Sequence, residues 1–315
     1  MAGDARSGAH WAQTRERSNR VALALMVWIA LRLGRTVARW LLHPITGYFL
    51  LFSPGPKRQT RRYLRRALGR EPGWGDHYRQ VHAFASVVLD RVYLARGERD
   101  RFELQVQGGD LVHQRLADGR GAFLIGAHIG SFEALHAVGK GQQLPVAMAM
   151  YPDNARLIQA VLRAVAPEAA LEIIAIGRPG STLAIRDWLD GGGLVGVLGD
   201  RLPPPNAGGS AARSDIVTLP FLGAPARFHD GPLRLAMVLK RPVLFMVGLY
   251  RGGARYEVRF EPLVDFSQPA ADAAGREAQL HAALQAYVQR LEALCREAPY
   301  NWFNFHDFWN EDGTS

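Results

Sequence analysis

AFLIGAHIGSFEAL, residues 122–135, runs from an unbroken apolar segment through a histidine and a glycine-containing turn into a segment bearing a glutamate. Such a short apolar run predicts a buried strand, Ala122 to Ala127, and the residues beyond it predict a helix opening near Ser131. His128 then stands at the strand's C-terminal end and Glu133 in the first helical turn. On one continuous helix, five residues of separation would set the two side chains about 140° apart. The turn at Ile129-Gly130 removes that obstacle, so the carboxylate can fold back, fix the imidazole tautomer and stabilise the imidazolium. A histidine held this way is a general base for a hydroxyl or amine, and attack by that group on a thioester needs no enzyme nucleophile. As a bare pattern, H-x-x-x-x-E arises often by chance beside an ordinary histidine. The end of a buried strand is where α/β sheets carry their chemistry, which favours acyl transfer with His128 and Glu133 as the catalytic pair.

Outward from this segment, short apolar runs alternate with amphipathic stretches, the pattern of an α/β domain. The predicted strands are Phe102 to Val106, Ala122 to Ala127, Pro145 to Met150, Leu171 to Ile176, Leu194 to Leu198, Ile216 to Leu219, Pro242 to Tyr250 and Tyr256 to Glu261. Helices are predicted over Asp76 to Arg96, from near Ser131, Asn154, Ser181 and Gly231, and over Asp272 to Glu297. No linker divides this region into independent domains. The segment RLPPPNAGGSAARS, Arg201 to Ser214, reads as a long loop, suited to a flap beside the active site or to a plain surface connection.

The N-terminus is set apart by charge. Residues 1–70 hold 14 Arg/Lys against 2 Asp/Glu, leaving 24 basic against 27 acidic residues for the rest, so the whole net charge of +9 originates there. A local excess of this kind fits contact with anionic lipid or an acidic partner, and no nucleic-acid recognition motif accompanies it. VALALMVWIA, residues 21–30, is followed by Arg32, Arg35 and Arg39 at helical spacing; Pro44 is expected to interrupt the helix before the apolar ITGYFLLF, residues 45–52. Ten apolar residues fall short of the about 20 that span a bilayer. Membrane-associated helices lying in the interface are the expectation, against a buried hairpin covering the core. Cys295 is the single cysteine, which excludes an intramolecular disulfide, and no Cys/His cluster has zinc-ligand spacing.

Other motifs fail on context. Gly191, Gly193 and Gly196 match G-x-G-x-x-G but lead into a strand instead of opening a helix. Ser131, Ser181 and Ser210 lack a nucleophile elbow.

The H-x-x-x-x-E segment, the strand ending in Gly199-Asp200-Arg201, TLPFLG at residues 218–223, GPLRLA at residues 231–236 and the closing YNWFNFHDFW, residues 300–309, together resemble the lysophospholipid acyltransferase superfamily, within it the lipid A biosynthesis late acyltransferase-like group. The resemblance implies one α/β domain, residues 57–315, with a mixed central sheet flanked by helices as in glycerol-3-phosphate acyltransferase, and a membrane-associated segment at 1–56. It implies acyl transfer from acyl carrier protein or acyl-CoA to a membrane lipid acceptor, without a cofactor, at the cytoplasmic face of an inner membrane. Asp200, Arg201, Gly130, Ser131 and His229 are the expected substrate-binding residues, Arg201 through a phosphate; Asp200-Arg201 can equally be a local ion pair, and His229 with Asp230 can cap the following helix. The lipid A enzymes usually carry an arginine in a Y-R-P block where this chain reads Tyr151-Pro152, which widens the expected acceptors to carrier lipids and amino-acid lipids. The rivals are a glycosyltransferase-associated protein, for which no D-x-D motif is present, and a non-enzymatic membrane scaffold.

Overall fold

The computed structural model describes residues 32–52, 54–117, 119–141, 144–152, 172–203, 216–305, 308 and 309. The apolar run 21–30, the helix expected from Asn154 and most of the loop Arg201 to Ser214 lie outside them. In chain order the elements are α1 (residues 32–52), α2 (Pro54–Leu68), α3 (Trp74–Ala95), β1 (Glu103–Gln107), α4 (Gly109–Ala117), β2 (Ala122–Gly126), α5 (Phe132–Gly141), β3 (Val146–Met150), β4 (Glu172–Ala175), α6 (Ser181–Asp190), β5 (Leu194–Leu198), β6 (Ile216–Phe221), β7 (Ala224–His229), α7 (Gly231–Val238), β8 (Pro242–Tyr250), β9 (Arg255–Asp265) and α8 (Ala273–Glu297).

Seven strands form one sheet in the order β1-β9-β8-β2-β5-β3-β4. β2 lies inside it, parallel to β5 on one side and β8 on the other. β9 runs antiparallel to β8, which makes the sheet mixed. All five residues of β2 and all nine of β8 are buried. Helices cover both faces, so these strands are apolar throughout and not alternating. Side chains still divide by a period of two: Phe123 and Ile125 join α8 and the β6–β7 hairpin on one face, while Leu124 joins α3, α5 and α1 on the other.

The β6–β7 hairpin is a structure the sequence pattern misses. Its two-residue turn, Leu222-Gly223, has φ of 49° and 78°, the positive-φ geometry that matches strand twist. Asparagine or glycine normally announces such a turn. Leu222 is tolerated there because its side chain is buried in the core and its N–H donates to Glu292 Oε2 at 2.7 Å.

Pro44 does not break the first helix, contrary to expectation: residues 32–52 are helical throughout. Proline removes one backbone hydrogen bond, and burial of Ala38, Leu42, Thr46 and Leu50 holds α1 in place regardless. Arg35 ties it to the sheet domain through Asp90, at 2.7 Å and 2.9 Å, and Tyr256 donates to the same carboxylate. α2 crosses the junction between residues 56 and 57. Among the described residues no helix is long and apolar enough to cross a membrane.

Candidate active site

β2 delivers His128 to the C-terminal edge of the sheet, and β5, its parallel neighbour, delivers Asp200 to the same level. The two residues meet twice. The His128 backbone N–H donates to Asp200 Oδ2 at 3.0 Å, and its ring Nδ1–H donates to Asp200 Oδ1 at 2.8 Å. The indole N–H of Trp302, itself fully buried, donates to Oδ2 at 2.9 Å. Burial by itself would raise the Asp200 carboxyl. The adjacent His128 charge and the hydrogen bonds from His128 and Trp302 outweigh it and hold the group below the ordinary carboxylate range. An ionised acceptor on Nδ1 leaves Nε2 as the basic nitrogen.

The position anticipated for Glu133 at the imidazole is thus filled by Asp200. Glu133 sits in the first turn of α5 as expected, but its Oε1 pairs with Arg91 Nε at 2.5 Å and its Oε2 accepts from Ser131 Oγ at 3.3 Å. No hydrogen bond joins it to His128 among the described residues. Arg91 and Ser131 draw the Glu133 carboxylate to themselves, whereas the parallel β2–β5 register sets Asp200 directly alongside the ring.

Gly130 makes that turn possible. Its φ is +64°, and a Cβ there would stand 2.0 Å from the carbonyl oxygen of Gly248. Ser131 is wholly buried, and its Oγ accepts from the Ala134 N–H at 3.1 Å, capping α5. Its contribution runs through the helix and through Glu133. Asp230 holds the N-cap position of α7 but makes no side-chain cap; its carboxylate pairs with Arg234 at 2.7 Å instead. Among the described residues no group of three or more His, Cys, Asp or Glu is placed to hold a metal ion.

His128, Glu133, Arg91 and Gly130 open onto a cavity of about 510 Å³, walled chiefly by Phe84, Val88, Leu94, Phe132, Met148, Met246, Phe303 and Phe305. Its size falls within the roughly 300–1,000 Å³ of small-molecule sites, and its walls suit an alkyl chain. The closing aromatic segment therefore serves twice, Phe303 and Phe305 lining the cavity while Trp302 holds Asp200.

Arg201, next after Asp200, reaches this cavity from beyond the end of β5 and also lines a second one, about 830 Å³, on the opposite face of the sheet. The alternation along β3 separates the two, Met148 and Met150 facing the first, Ala149 and Tyr151 the second. His229 lies in the second cavity, away from His128. Asp200 and Arg201 make no hydrogen-bonded ion pair with each other.

The site is thus a carboxylate-held histidine at the edge of a mixed α/β sheet, at the mouth of an apolar cavity. The chain belongs to the bacterial lipid A biosynthesis acyltransferase family, whose model matches residues 17–311. It is accordingly an acyltransferase acting on a lipid. No curated protein matches it.

Proposed function

We propose that this acyltransferase moves an acyl chain from the thioester of acyl carrier protein or acyl-CoA to a hydroxyl or amine of a membrane lipid, with His128 as general base. The observation that carries the reading is the 2.8 Å contact of His128 Nδ1 with Asp200 at the mouth of the apolar cavity. Nε2 takes the proton of the acceptor as its oxygen or nitrogen attacks the thioester carbonyl. The tetrahedral adduct then expels the thiolate, and the imidazolium returns the proton to sulfur. Asp200 keeps the ring oriented and stabilises its cationic form. Glu133 holds Arg91 against the same cavity, where the guanidinium can meet negative charge developing on the carbonyl oxygen.

The membrane surface, at the cytoplasmic face of an inner membrane, is the proposed place of work. α1 exposes Leu33, Val37, Trp40, Ile45, Tyr48, Phe49, Leu51 and Phe52, an apolar band that a soluble surface seldom carries. Aromatic residues of this kind favour the headgroup boundary, and the N-terminal arginines favour anionic lipid. Lipid A precursors or another glycolipid or carrier lipid are the proposed acceptors. Mass spectrometry of lipids from cells holding either the intact protein or His128→Ala tests the reading: a lipid gaining one acyl mass only with the intact protein supports it, and identical lipid profiles reject it.

A further inference from the structure

α1 and α3 leave a groove of about 220 Å³ between them, lined on one side by Ile45, Thr46 and Phe49 and on the other by Val81, Ala85 and Leu89. The α3 residues recur at helical spacing, and Ala85, the smallest of them, leaves the gap. Ile45 and Phe49 belong also to the exposed apolar band of α1, so the groove opens where that band would meet lipid. Thr46 is 1% exposed, yet its hydroxyl has no hydrogen-bond partner among the described residues. Buried polar groups are ordinarily paired, so this one is suited to an occupant that brings an acceptor oxygen.

The groove abuts the cavity of His128. Phe84 and Val88 line both, so one layer of side chains separates them. Phe84 is held by edge-on contacts with Phe303 and Phe305, whose ring centroids are 5.3 Å and 5.0 Å away, and the Phe303 N–H donates to the His128 carbonyl at 2.8 Å. The partition and the histidine thus rest on the same closing segment. The groove is smaller than the roughly 300–1,000 Å³ of a whole small-molecule site, which leaves room for an alkyl chain and none for a headgroup. Apolar walls with a single hydroxyl donor match an acyl ester, a hydrocarbon chain ending in one acceptor carbonyl.

We infer that the α1–α3 groove seats an acyl chain already present on the lipid acceptor, its ester carbonyl accepting from Thr46, with Phe84 and Val88 parting it from the chain under transfer in the His128 cavity. The acceptor would then enter sideways from the bilayer, past Ile45 and Phe49, and present its hydroxyl or amine to His128 while its own chain stays in the groove. The inference rests on the acyl-transfer reading and names where that reaction holds its acceptor.

Photolabelling of the full chain tests it without turnover, in vesicles of phosphatidylglycerol and phosphatidylethanolamine doped with a phospholipid that carries a diazirine midway along one acyl chain. Peptide mass spectrometry should find label on Val81, Ala85 or Leu89, which line the groove. Ala85→Trp, which fills the gap, should abolish that label and raise the lipid-acceptor KM about tenfold with the thioester-donor KM unchanged. Thr46→Val keeps the shape of the groove and should raise the acceptor KM about threefold to tenfold, for the loss of one hydrogen bond. The inference is overturned if label is confined to Trp40, Tyr48 and Phe52 on the exposed face of α1, or if neither variant moves the acceptor KM. It is overturned equally if groove label appears only once residues 1–31 are removed, which would give the groove to this chain's own N-terminal segment. Groove label that Ala85→Trp abolishes, in a protein that transfers no acyl group, would refute the acyl-transfer reading and leave the chain site standing.

Discussion

Trp302 and Asp200, 102 residues apart, are joined by a 2.9 Å hydrogen bond from the indole N–H to the carboxylate that also holds His128. The closing aromatic segment therefore touches both partners of the pair, since the Phe303 N–H also donates to the His128 carbonyl at 2.8 Å. Trp302→Phe keeps most of the ring packing against Tyr63, Phe221 and Phe308 and removes only the indole donor. We expect a stability loss of about 1–3 kcal/mol and a slower reaction with its optimum moved in pH. Chemical denaturation with a pH–rate profile checks it: an unchanged profile would reduce Trp302 to core packing.

His128→Ala should lower turnover by about 10²–10⁴ while leaving the fold intact, because the ring lies at a cavity mouth and supports little packing. Asp200→Asn should come close to it, since an amide on Nδ1 favours the wrong tautomer. Steady-state kinetics on the folded variants decide. Near-normal turnover in His128→Ala rejects the general-base mechanism outright.

For Glu133 the expectation follows its observed partner. Glu133→Gln should act through Arg91, so the Glu133→Gln and Arg91→Ala losses should be strongly non-additive in a double-mutant cycle. The pH dependence set by the imidazole should stay in place. A Glu133→Gln variant that instead reproduces Asp200→Asn, pH shift included, would return Glu133 to the role of ring partner.

The strand, turn and helix around His128 were legible because each has a local signal: an apolar run, a glycine that must take positive φ, a serine that caps. The pairing of His128 with Asp200 was not, since it depends on β2 and β5 being adjacent and parallel, a long-range fact that no local spacing encodes. The sequence marks Asp200 only as a substrate-binding residue. The hairpin at Leu222-Gly223 and the passage of α1 through Pro44 were hidden for a related reason, tertiary packing overriding a local preference.

Acid should loosen α1. His82 on α3 stacks on His43 of α1 at 4.6 Å between ring centroids. Burial, and then the charges of His43 and Arg39, push it down to about 4. A histidine lowered in the folded state leaves the unfolded chain holding more protons between its ordinary value and the folded one. Its stabilising effect is therefore complete above about pH 6.5 and is lost as pH falls toward 4. Allowing for partial exposure, the loss is about 1–2 kcal/mol. Once exchange is corrected for the intrinsic pH dependence of amides, the protection of α1 should fall more than that of α8 between pH 7 and pH 4.5, and His82→Gln should flatten the difference; parallel changes in both helices would refute it.

The last expectation concerns the apolar face of α1. Trp40, Tyr48, Leu51 and Phe52 are each at least 66% exposed, on a helix otherwise anchored by Arg35 to Asp90 and by Arg39 to Tyr250 Oη. A helix clamped on one side with large apolar side chains free on the other is arranged to dip those side chains into lipid. Replacing Trp40, Leu51 and Phe52 together by serine removes apolar contact without touching the anchors, so the fold and the His128 site should persist while vesicle binding falls at least tenfold. Raising the salt concentration should release part of the unaltered protein from anionic vesicles, through screening of its arginines. The triple variant should respond to salt as before, because its charges are unchanged. Sedimentation with neutral and with anionic vesicles separates the two contributions, and a triple variant that binds both as strongly as the unaltered protein would remove α1 from the membrane contact.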